Sequence, residues 1–77
     1  MNKARAAKIA KLAASLQEVH SILEELRDEE QSAYDNMSES LQSSDRGQAT
    51  EAAAGELYNA TSSLQSVIDA LENAING

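Results

Sequence analysis

The segment 28–47, DEEQSAYDNMSESLQSSDRG, decides the fold, because it interrupts two long heptad repeats. Ser38, Ser40, Ser43 and Ser44 weaken helix there, since hydroxyls compete for backbone hydrogen bonds. Met37 and Leu41 are the apolar pins expected to hold a turn down. Gly47 is expected to give the backbone freedom at the start of the next helix. The segment reads as the tip of a hairpin.

On either side the apolar residues step by three and four. Before the tip they fall at Ile9, Leu12, Leu16, Val19, Leu23, Leu26, Ala33 and Met37, with Glu30 in the missing slot. After it they fall at Ala53, Leu57, Ala60, Leu64, Val67, Leu71 and Ala74. Ile22 on the first stripe, and Ala54, Thr61, Ile68 and Ile75 on the second, widen both beyond a two-helix seam. Asn2 is placed to cap the first helix, and Ser44 or Asp45 the second. Asp45 and Gln48 have capping-box spacing, and Asn76 and Gly77 end the second helix. The expectation is an all-α antiparallel hairpin in one domain: helix 1 over about 3–36, a tip at about 37–45, helix 2 over about 46–75. Each helix is roughly 40 Å long or more at 1.5 Å per residue. One register sets Leu26 against Leu57, Leu23 against Ala60, Val19 against Leu64, Leu16 against Val67 and Leu12 against Leu71. A slip of one heptad keeps the pattern.

With 77 residues, the chain buries only a thin core. It has no Cys, so a disulfide or thiolate metal site cannot staple it. Self-association is the remaining staple, and the expected form is a homodimeric four-helix bundle. Ile9, Leu12, Leu16, Ile22, Leu57, Leu64, Ile68, Leu71 and Ile75 are the expected interface. No run of about 18 apolar residues exists to span a membrane. The start lacks the apolar stretch of a secretory signal, so a cytoplasmic location is expected.

The net charge of −7 is unevenly spread. Lys3, Arg5, Lys8 and Lys11 are the only charges before Glu18, and only Arg27 and Arg46 offset the thirteen acids that follow. An acidic body disfavours nucleic acid and suits a partner with a basic surface. The basic arm has no aromatics, so it would bind phosphate or anionic lipid only weakly. A role in assembly, against a partner's acidic region, fits it better.

The run from Asp28 to Gly47 resembles a pattern in small uncharacterised proteins of bacteriophages and prophages. There the tip reads D-E-E-Q, an aromatic, D-N, an aliphatic residue, Pro or Ser, E-S-L-Q, S-E or S-D, then R-G. The resemblance covers about a quarter of the chain, and Ser38 stands where many such proteins carry Pro. It implies a phage accessory protein in a bacterial host cell. It implies no catalytic residues and no established biochemical role.

Two surfaces are candidates for partner binding. Glu24, Glu25, Asp28 and Glu29 form an acidic strip on helix 1, and Tyr34, Asp35, Asn36, Glu39 and Arg46 lie at the tip. Such a strip can imitate a row of phosphates, which points to inhibition or modulation of a host nucleic-acid-handling or defence protein. The plainer alternatives are a solvated face, and a structured turn in which Asp35 and Asn36 cap backbone groups and Arg46 pairs with an acid. A further alternative is an assembly protein whose apolar grooves take another helix.

Catalysis is not expected. His20 is the only histidine, and Glu24 one turn on makes an ordinary surface pair for it. The Glu-x-x-His motif of di-iron bundles is absent, since Glu18-Val19-His20 has the wrong spacing. No serine sits in a G-x-S-x-G elbow and no glycine-rich phosphate loop occurs. No metal or cofactor is implied, and so thin a bundle is expected to leave no room for a sizeable pocket.

Overall fold

A computed structural model describes residues 1–77. Three helices follow one another: α1 (Lys3–Asp35), α2 (Glu39–Gln42) and α3 (Asp45–Asn76). α1 and α3 lie side by side and antiparallel, giving a rod of 58 × 15 × 13 Å. α2 is a single turn that packs on α3 and closes the hairpin.

The ends are set by short polar side chains. The Asn2 carboxamide oxygen accepts from the Arg5 N–H at 2.7 Å and starts α1. Ser38 caps α2 by accepting from the Leu41 N–H at 3.3 Å. Its φ of −64° is the value that a proline ring imposes. Ser44 caps α3 by accepting from the Gly47 N–H at 3.2 Å. The Gly77 N–H donates to the Asn73 carbonyl at the far end. The tip serines therefore organise the turn rather than only weakening a helix. The Asp45–Gln48 capping box does not form, because the cap is one residue earlier. The Gln48 carboxamide instead donates to the Ser43 carbonyl at 3.3 Å.

Gly47 has a different role from the one its sequence context suggests. No glycine has a positive φ, so backbone freedom is not what it supplies. It is buried, and a Cβ there would run into the backbone carbonyls of Leu41 and Gln42, 2.6 Å from the Gln42 carbonyl carbon. The residue allows α3 to start directly beneath α2.

The seam between the long helices is rotated by one residue from the stripes read in the sequence. On α1 the covered positions are Ala6, Ile9, Ala13, Leu16, His20, Leu23, Arg27, Glu30 and Tyr34. On α3 they are Gly47, Thr50, Ala54, Leu57, Thr61, Leu64, Ile68, Leu71 and Ile75. Ala13, Ala54 and Ile68 are the buried apolar core, and Ile68 is wholly enclosed. Thr61 is buried among them with its hydroxyl donating to the Leu57 carbonyl at 2.7 Å, so it leaves no unpaired polar atom. The expected pairs fail, because Leu12, Val19, Leu26, Ala60 and Val67 are all exposed. Small residues of the seam, Ala6 and Ala13 on α1 and Gly47, Thr50, Ala54 and Thr61 on α3, are interleaved with larger ones such as His20, Arg27, Tyr34 and Ile68.

Candidate functional site

Seven-residue spacing gives each helix two flanks beside the seam. One flank contains Gln17, Glu24 and Gln31 of α1 and Glu51, Tyr58, Gln65 and Glu72 of α3. These residues meet on one side of the rod. The Gln17 carboxamide donates to Glu72 at 3.5 Å, and Gln31, Glu51 and Tyr58 line one groove. This flank is polar. The opposite flank must then contain Leu12, Val19, Leu26 and Ala33 of α1 with Ala53, Ala60, Val67 and Ala74 of α3. Ile22 lies just outside it, between Val19 and Leu26. Exposure of 44–55% for Leu12, Val19, Ile22, Leu26 and Val67 makes this a continuous apolar strip.

The expected interface residues divide accordingly. Leu12 stands on the apolar flank and Ile22 at its outer edge. Ile9, Leu16, Leu57, Leu64, Leu71 and Ile75 are half-buried in the hairpin seam. Ile68 is closed off inside the chain and is unavailable to a second subunit. The single-sequence pattern merged two stripes, one facing the other helix and one facing out.

The acidic residues of α1 also separate. Arg27 reaches Asp28 at 3.1 Å and Glu24 at 4.0 Å, and the His20 Nδ1 lies 3.2 Å from Glu24. Glu24 is thus half-buried on the polar flank beside two neighbours. Glu25 and Glu29 are exposed and unpaired, the first on the back of α1 and the second at the tip end of the apolar flank. Glu30 occupies a half-covered seam position, and no cation lies within ion-pair distance of it.

At the tip, Tyr34 lies half-covered against α3. Hydrogen bonding to Glu51, then partial burial and the nearby carboxylates, hold its phenol above the ordinary tyrosine pKa. The Gln42 carboxamide donates to the Tyr34 carbonyl at 3.0 Å and ties α2 to the end of α1. Asp35 accepts from Gln31 at 2.9 Å. Asn36 ends α1: its backbone N–H donates to the Ser32 carbonyl at 3.0 Å, and the next N–H, of Met37, donates to the Tyr34 carbonyl at 3.0 Å. Its side chain caps nothing. Arg46 is exposed and pairs with no acid, contrary to the structured-turn reading. Glu39 is exposed in the first turn of α2.

The thin hairpin does hold a groove, which the sequence reading missed. About 480 Å³ of open space lies on the polar flank between Arg27, Asp28 and Gln31 on one wall and Glu51, Ala54, Gly55, Tyr58 and Asn59 on the other. A Cβ at Gly55 would touch nothing within 4 Å, and Tyr58 is 60% exposed. The pairing of a bare glycine with an outward tyrosine one turn away is the only sequence signal for this groove. No three His, Asp or Glu side chains converge in a metal-binding arrangement. No helix is long and apolar enough to cross a membrane. Among known families, curated proteins and solved structures, none matches this chain.

Proposed function

We propose that this chain is a non-enzymatic accessory protein of the phage type, acting in the cytoplasm of a bacterial host as a homodimeric four-helix bundle. It works by binding. Its apolar flank joins the subunits, and its acidic tip half is offered to a host protein with a basic surface, of the nucleic-acid-handling or defence class. The observation that carries this reading is the division of surfaces on one rod. The apolar flank and the polar groove lie on opposite sides, so one can be covered by a subunit while the other stays open.

The groove suits a basic partner. Tyr58 offers an exposed aromatic face, and Asp28 and Glu51 stand at its rim. An arginine of the partner could stack on the ring and pair with a carboxylate at once. Tyrosines of this kind commonly carry a large share of binding energy at protein interfaces.

The test is retention of host proteins on the immobilised protein, followed by rebinding of each retained protein in purified form. Purified rebinding that weakens tenfold or more with Asp28→Lys and Glu51→Lys, and that fades with salt, is the expected result. Retention insensitive to both changes removes the groove and the acidic tip half from the reading.

A further inference from the structure

The apolar flank has a charge at each end, and the two ends differ in sign. From the open end of the rod to the tip, the outward stripe of α1 reads Arg5, Lys8, Leu12, Ser15, Val19, Ile22, Leu26, Glu29. The whole rod is polarised in the same sense. Between residues 24 and 56 there are ten acids against Arg27 and Arg46, while the remainder carries four bases against Glu18, Asp69 and Glu72. None of the four arm bases makes an ion pair within the chain, and neither do Glu25 and Glu29.

We infer that a second copy of this chain covers the flank in antiparallel orientation, so that each basic arm lies on the partner's acidic half. This rests on the reading of the flank as the subunit interface and adds its geometry. A two-fold axis across the rod lays α1 on α1 and α3 on α3. Matching alternate outward positions places Leu12 opposite Ile22 of the partner subunit, and Arg5 opposite Glu29 of the partner subunit. Lys8 then overlies the partner subunit's Leu26, with its ammonium group within reach of Glu25 of the partner subunit. On α3, Val67 and Ala74 fall within the overlap and form a low ridge that permits close approach. A parallel dimer buries the same apolar residues but sets acidic half on acidic half, with like charges facing along the seam.

The arrangement has a functional corollary. It occupies Glu25 and Glu29 with the partner's arm and leaves Glu24, Asp28, Glu51 and Tyr58 open on the outer side. Residues beyond Ala33 extend past the overlap, so both tips project freely from opposite ends.

The chain has no cysteine, so one introduced label reports the orientation. A spin label on Ala33→Cys, in the otherwise unaltered chain, should show a label–label distance near 50 Å, from about 32 residues of axial offset at 1.5 Å each. A parallel bundle would bring the labels to roughly 14 Å between axes, across the diagonal of helices packed 8–10 Å apart. Charge reversal supplies the second arm. Arg5→Glu with Lys8→Glu should weaken dimerisation about tenfold at low salt, as should Glu25→Lys with Glu29→Lys, and combining all four should restore it. A short label distance in a dimer, or no rescue in the combined variant, overturns the antiparallel geometry while leaving the interface in place. A monomer by sedimentation at tens of micromolar overturns both.

Discussion

Gly47 and Gly55 lie little more than two turns apart in α3, and a methyl group added to each has opposite consequences. At Gly55 the new Cβ meets open space, and an exposed helix interior favours alanine over glycine by about 1 kcal/mol. At Gly47 it meets the carbonyls of Leu41 and Gln42, which belong to the backbone and cannot rotate away. Gly55→Ala should raise the midpoint of thermal unfolding, and Gly47→Ala should lower it by an amount matching a loss of roughly 1–3 kcal/mol. Tyr34 makes a prediction of a different kind. Deprotonating it removes its hydrogen bond to Glu51 and sets two negative charges side by side, so the folded chain holds the proton more tightly than the unfolded one. That contribution is present below pH 10 and is lost as pH rises through the higher native value. In a Tyr58→Phe background, phenolate absorbance from Tyr34 should appear with a midpoint above 10, and Glu51→Gln should bring it back toward that value.

At the scale of the helices, the caps and the lengths were legible in the sequence, because they depend on neighbours within a few residues. Asn2, Ser44 and Gly77 act where their residue types suggest. Ser44 also donates its hydroxyl to the Leu41 carbonyl, so it joins α2 to α3 as well as starting α3. Ser44→Ala should cost about 1 kcal/mol or more in urea unfolding, and should loosen α2 with it. The rotation of the seam was not legible. Leucine and valine mark the strongest stripe on α1, yet the helix turns Ala13, His20, Arg27 and Tyr34 inward in place of Leu12, Val19, Leu26 and Ala33. The physical reason is that a stripe this wide serves two directions. The long side chains of His20, Arg27 and Tyr34 cover the seam on one edge, and Leu12, Val19 and Leu26 are left facing the other side. The polar groove escaped notice for a related reason, since it depends on which residues of two helices share a flank.

For the molecule as a whole, the charge gradient along the rod is plain in the sequence, and the hairpin converts it from a pattern along the chain into a pattern in space. Residues 24–56 double back on themselves, which concentrates ten acids around one end. The same doubling ranks the contacts by the length of chain that must be closed to make them. Tyr34 and Glu51 near the tip are joined by a short loop, whereas Gln17 and Glu72 are separated by 55 positions. Entropy favours short loops, and each contact that forms shortens the loop still to be closed for the next. Loop entropy therefore predicts folding as a zipper from the α2 turn outward, with opening in reverse from the other end of the rod. Amide hydrogen exchange should record this as a gradient, slowest where α1 and α3 meet nearest the tip, around residues 27–34 and 51–58, and fastest at the first turns of α1 and the last of α3. A single rod that frays from one end opens its basic arm first, while the acidic tip keeps its shape longest.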